Sequence, residues 1–185
     1  CMYLEGDARL VQSIPFKGVR DNHLGTIGDF DWAVWRETRK STNAGRMSVS
    51  GACLKAWSRT QAVMALSSGE AEYYAALKGA SLGLGMRSIA RDLGMELSIR
   101  LHTDSAAAKG IMLRRGLGKM RHLEVGFRWL QDEVAAEQLY VFKCRGEENP
   151  ADLGTKHLRG EVIVRHLTTL GFSLEGGRSK AVPAC

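Results

Sequence analysis

From Ser67 to Gly94 the chain runs almost without interruption through Ala, Leu, Met and Tyr, and it opens on Ser67-Ser68-Gly69-Glu70. That opening has the S-x-x-E form of a capping box, so a long helix is expected to start there. Gly79, Gly83 and Gly85 lie inside it. Each weakens helicity by roughly 1 kcal/mol relative to Ala, which is tolerable if the helix must pack closely against a sheet. The strands of that sheet can be read on either side. Leu24 to Trp32 has a period of two that places Ile27, Asp29 and Asp31 on one face and Thr26, Phe30 and Trp32 on the other. Gly45 to Ser50 and Cys53 to Ser58, separated by Gly51-Ala52, read as two short strands around a tight turn. After the helix, Ser98 to Thr103 is a strand that ends on Asp104, and Gln138 to Lys143 is another. Between them, Ser105 to Leu113 and His122 to Ala136 have helical composition, broken at Gly116-Leu117-Gly118. Asn149-Pro150-Ala151-Asp152 opens a last helix, with Asn as N-cap and Pro at the first helical position. Three strands, a helix, a strand, helices, a strand and a helix make an α/β chain, and no internal repeat is visible.

With 185 residues, 44% of them hydrophobic, the chain is long enough for one domain with one core. No apolar run reaches the ~18 residues of a membrane span, and Cys1-Met2-Tyr3-Leu4-Glu5 does not begin a signal peptide. A soluble protein without a membrane partner is expected. Cys1, Cys53, Cys144 and Cys185 form no C-x-x-C pair, which argues against structural zinc or a disulfide framework and fits a reducing compartment. The net charge of +6 and pI near 9.3 arise from short basic clusters, Arg36 to Lys40, Arg114 to Arg121 and Arg159 to Arg165. These suit a polyanionic partner, and they equally suit ordinary solvated faces.

Acidic residues sit at the ends of the expected elements: Asp29 on the first strand, Glu72 in the first turns of the long helix, Asp104 ending a strand, Asp152 opening the last helix. Acids near helix starts also stabilise the helix dipole without any chemistry. If the ends converge, however, four carboxylates meet, and such crowding requires a cation. Hard oxygen ligands select Mg²⁺, with Mn²⁺ able to substitute. Two such ions roughly 4 Å apart are the apparatus of phosphodiester hydrolysis.

The words G-D-F-D-W-A, R-K-S-T-N-A-G, A-L-S-S-G-E-A-E-Y-Y-A-A-L, H-T-D-S-A-A-A, R-H-L-E-V and N-P-A-D-L-G-T-K occur in this order. Together they resemble the ribonuclease H region of copia-type LTR-retrotransposon Pol polyproteins. The resemblance covers about residues 1 to 158, and the opening Y-L-E-G is similar to a word that precedes this domain in such polyproteins. It implies a ribonuclease H-like fold: a mixed five-stranded sheet, three antiparallel strands followed by two parallel ones, with helices on both faces. It also implies a metal-dependent endonuclease that cuts the RNA strand of RNA/DNA hybrids during reverse transcription, beside a reverse transcriptase domain of the same polyprotein. On motif position, Asp29, Glu72, Asp104 and Asp152 are the metal ligands, Asp31 is a neighbouring carboxylate, and Glu70 is left as the capping residue. Helix geometry agrees with the last split, since residues two apart project about 200° from each other.

The same resemblance puts Ser67 and Ser68 where relatives of this fold touch the hybrid's minor groove, although capping accounts equally well for Ser67. Arg39, Lys40, Lys119, Arg121 and His122 are candidates for phosphate contacts on charge and motif position. Cellular ribonucleases H carry a histidine before the final aspartate, whereas this chain reads K-C-R-G-E-E-N-P there. Glu147 or Glu148 is the available partial substitute, and weak activity in isolation is expected. Competing readings are a degenerate or domesticated retroelement fragment that binds nucleic acid without cleaving, and an integrase or resolvase relative. The expected organisation is a connection remnant over 1–22, the ribonuclease H-like domain over 23–158, a helical extension over 159–172 and a disordered tail over 173–185. The expected compartment is the cytoplasm, within a virus-like particle, or the nucleus.

Overall fold

The computed structural model of the protein describes residues 8–14, 22–31, 40–116 and 125–176. Its central sheet is built from β2 (His23–Asp31), β3 (Thr42–Val49), β4 (Ala52–Thr60), β5 (Ser98–Thr103) and β6 (Leu139–Lys143), in the order β4-β3-β2-β5-β6. The β4-β3 and β3-β2 pairs are antiparallel, and the β2-β5 and β5-β6 pairs are parallel. This is the mixed five-stranded sheet of the ribonuclease H fold. A separate antiparallel pair joins β1 (Ala8–Gln12) to β7 (Phe172–Gly176).

The hairpin between β3 and β4 turns on Ser50 and Gly51, at φ of 48° and 83°. Two consecutive positive φ values define the tight turn whose twist matches antiparallel strands, and Gly51 adopts its share at no steric cost. The turn thus lies one residue earlier than the expected Gly51-Ala52.

The long helix α1 (Ser68–Asp92) lies across the sheet and carries the chain from β4 to β5. Two of its glycines lie directly against the sheet. A Cβ on Gly79 would stand 3.3 Å from Leu101, and one on Gly83 would stand 3.3 Å from both Ile99 and Thr26. Gly85 faces open space. Helices α2 (Ala106–Leu113) and α3 (Val125–Ala135) complete this layer, and Leu24, Met47, Tyr73, Ile99, Leu101, Leu130 and Leu139 form the core between sheet and helices. Each fully buried aliphatic side chain there contributes roughly 2 kcal/mol.

On the opposite face, a 3-10 turn over Pro150–Gly154 is seated against β3, followed by α4 (Gly160–Thr169). The expected last helix is therefore two elements. A Cβ at Gly154 would lie 2.5 Å from the Ala44 Cβ, so its backbone is pressed onto the sheet, while the Ser58 hydroxyl donates to the Gly154 carbonyl at 2.7 Å. The chain is pinned at the point where an α-helix would have had to continue.

The expected tail beginning at 173 must also be shortened. Residues 172–176 pair with 8–12, setting Leu174 opposite Leu10, and Arg9 meets Glu175 at 3.0 Å. A strand in such polar sequence forms because a distant partner supplies its hydrogen bonds. Residues 177–185 lie outside the described set.

Candidate metal centre

Topology explains why acids meet. Strand β2 is antiparallel to β3 on one side and parallel to β5 on the other. Such a switch point opens a crevice at the carboxyl ends of the parallel strands. Asp29 stands near the end of β2, Asp104 directly follows β5, and Glu72 lies in the first turns of α1. One carboxylate oxygen from each of these three lies within 4.8 Å of the other two.

The start of α1 is fixed by its cap. The Ser67 hydroxyl accepts from the Glu70 N–H at 3.2 Å, and Glu70 Oε2 accepts from the Leu66 N–H at 3.0 Å. Glu70 is 2% exposed and holds the helix entry, leaving Glu72 for the crevice. The division between capping and ligating glutamates matches the expectation from helix geometry.

Burial dominates the electrostatics. Glu72 is pushed up to about 9, first by desolvation and then by the carboxylates of Asp104 and Asp29. Desolvation raises Asp29 to about 6 against the Thr155 hydroxyl and Lys156 ammonium, which pull it down. Near neutral pH, Glu72 and Asp29 keep their charges together only with a cation beside them. Asp104 Oδ1 is buried without a hydrogen-bond partner. A buried oxygen without a hydrogen-bond partner, on a carboxylate that converges with two others, fits a divalent metal bound through oxygen.

Asp152 stands beside this trio rather than within it. Its Oδ1 meets Lys156 Nζ at 2.8 Å, and the same ammonium lies 3.4 Å from Asp29 Oδ2. Thr155 Oγ1 also donates a short hydrogen bond to Asp29 Oδ2. The 3-10 turn that delivers these groups is started by Asn149, whose side chain accepts from the Ala151 N–H at 3.1 Å. Thr155 and Lys156 fall within N-P-A-D-L-G-T-K, where the sequence alone assigns neither a role. Their only sequence signal is the acid and base four residues apart, a spacing that pairs charges on one face of a helical turn.

The other candidates separate clearly. Ser67 caps α1, Ser68 is exposed at its start, and Lys40 is partly buried just before β3. Arg39, Lys119, Arg121 and His122 lie outside the described residues. Two cations not singled out in the sequence, Lys143 and Arg145, line an open cleft together with Asp104, Cys144, Gly146 and Glu147. Cys144 is held as a thiol, pushed up to about 11 by burial and by the nearby Asp104 carboxylate. Among the described residues, no helix is long and apolar enough to cross a membrane.

No protein-family profile matches the chain. Over 144 residues it is 31% identical to the retrovirus-related Pol polyprotein from transposon TNT 1-94 of Nicotiana tabacum, an alignment covering 75% of this chain. The chain spans 11% of the length of that relative. Among solved structures, it overlaps LC11-RNase H1 in complex with an RNA/DNA hybrid at 14% identity and a TM-score of 0.47, covering 71% of this chain and 92% of the other. The N-terminal RNase H domain of a Mycobacterium tuberculosis protein, solved as a maltose-binding-protein fusion, overlaps at 13% identity and a TM-score of 0.43, covering 79% and 98%. From its strand order, helix placement and sequence relationship, the chain is a ribonuclease H-fold domain belonging with the retrovirus-related Pol polyproteins of transposons.

Proposed function

We propose that this domain hydrolyses the RNA strand of RNA/DNA hybrids, using two Mg²⁺ ions held by Asp29, Glu72, Asp104 and Asp152, with Mn²⁺ as a substitute. The observation that carries the reading is the convergence of the Asp29, Glu72 and Asp104 carboxylates, with one Asp104 oxygen buried and without a hydrogen-bond partner. Bound ions would supply Lewis acidity for water attack on the phosphodiester and for departure of the leaving oxygen. The protein's own groups orient and bind. Thr155 fixes the Asp29 carboxylate by donating to its Oδ2. Lys143 and Arg145, exposed along the cleft beside Asp104, attract the phosphates of the hybrid. Ser68, exposed at the start of α1, is assigned the contact to the minor groove, where a 2′-hydroxyl distinguishes RNA from DNA. No histidine lies between Lys143 and Asp152, so Glu147, which lines the same cleft, is assigned the transfer of protons to solvent.

In this reading the domain is of copia type and works beside the reverse transcriptase of its polyprotein, in a cytoplasmic virus-like particle or in the nucleus. Cleavage of an end-labelled RNA strand annealed to DNA, in Mg²⁺ or Mn²⁺, tests it against single-stranded RNA and duplex DNA. The expected result is cleavage of the hybrid alone, slow in the isolated chain, and its loss by at least roughly 100-fold in Asp104→Asn. A folded wild type that leaves the hybrid intact in both metals would overturn the reading of this chain as a nuclease on its own.

A further inference from the structure

We infer that Lys156 is an internal cation standing where the second metal ion must bind, so that the two ions enter unequal positions and the second displaces the lysine. The inference rests on the reading of the acidic cluster as a metal centre.

One carboxylate oxygen from each of Asp29, Glu72 and Asp104 already lies within 4.8 Å of the other two. A first ion therefore meets a formed set of ligands. The remaining carboxylate, Asp152, is joined to Asp29 by one positive charge, with Lys156 Nζ at 2.8 Å from Asp152 Oδ1 and 3.4 Å from Asp29 Oδ2. A second ion held by Asp29 and Asp152 would need the oxygens that this ammonium uses, so the two cations would exclude one another. Charge balance leads to the same arrangement. Four ionised carboxylates facing one divalent ion and one ammonium leave a single formal negative charge, while two divalent ions leave none.

Lys156 is built to move. Its side chain is 42% exposed and sits on a flexible four-carbon stem, so it can swing into solvent without disturbing the core. Thr155 is different. It donates to the same Asp29 oxygen through an uncharged side-chain hydroxyl at the C-terminal cap of the 3-10 turn, a contact that does not involve the lysine. The lysine thus keeps Asp29 and Asp152 from repelling one another until a second ion arrives, and it weakens the binding of that ion by competing with it.

Mn²⁺ titration of the whole chain, with free Mn²⁺ followed by electron paramagnetic resonance, reads both positions without any turnover. The wild type is expected to show one tighter and one weaker site. Lys156→Gln and Lys156→Met should each tighten the weaker site by roughly tenfold, the scale on which groups around a metal tune its affinity, and leave the tighter site unchanged. Gln preserves a hydrogen-bonding group toward Asp152, so it carries the test if Met fails to fold, and thermal unfolding establishes folding for each variant. Isotherms identical to wild type in a folded variant, or a weaker second site, would overturn the inference. Asp104→Asn separates this from failure of the underlying reading. Binding that is lost in Asp104→Asn but indifferent to Lys156 sinks only the role of the lysine, whereas a wild type that takes up no Mn²⁺ removes the metal centre and the inference together.

Discussion

Glu72 and Asp29 link the site to stability through pH. In the metal-free protein both carboxyls hold protons more tightly than the unfolded chain does, rising from 4.5 to about 9 and from 3.8 to about 6. A raised carboxyl contributes stability fully below its unfolded value and loses that contribution as pH climbs through its folded value. Thermal unfolding in chelator is therefore expected to show a Tm that falls between about pH 5 and 9, by several °C for a chain of this size. Glu72→Gln should flatten the upper part of that slope, and added Mg²⁺ should lift the wild type most at the alkaline end. A wild-type Tm that rises across the window, with Glu72→Gln rising in parallel, would contradict the burial assigned to Glu72. The trio itself was legible in the sequence, because each acid stood at the end of a recognisable element. Thr155 and Lys156 were not, because their partners are set by where a short 3-10 turn lands on the sheet, and that depends on Gly154 against Ala44 rather than on any local pattern.

Among the elements, α1 gives the sharpest contrast between equivalent residues. Its glycines look alike in sequence, yet Gly83 meets Ile99 and Thr26 while Gly85 meets nothing. Gly83→Val is expected to lower stability by roughly 1–3 kcal/mol through overpacking. Gly85→Ala is expected to raise it by up to about 1 kcal/mol through helix propensity. Chemical denaturation of the two variants checks both, and equal effects would mean that α1 does not lie on the sheet as described. Sequence reading anticipated close packing here because glycine in a strong helix is unfavourable without a reason, but it could not say which glycines made contact. The helical period is ambiguous about facing until the sheet is present. The β3–β4 turn shows the same limit on a smaller scale. Gly51 signalled a turn, but Ser50 at positive φ carries no signal of its own, and the turn came out one residue early.

Across the whole molecule, the strand order followed from the succession of elements, since a helix between β4 and β5 and further helices before β6 favour parallel crossovers next to an antiparallel hairpin. The pairing of β1 with β7 did not follow. Its strands are five residues each and stand at opposite ends of the chain, so neither carries enough pattern to name the other. That pairing brings a stretch expected to be a connection remnant into contact with one expected to be tail, and the domain limits expected from the motifs accordingly concern the five-stranded sheet and its helices rather than every described residue that folds with them. The crevice at the switch point of the sheet is where fold and chemistry coincide, and one measurement addresses it directly: anomalous diffraction from crystals of the chain soaked in Mn²⁺. The account predicts an anomalous peak at direct-ligand distance from Asp29, Glu72 and Asp104. A peak elsewhere on the molecule, or no peak in crystals equilibrated with the ion, would contradict it.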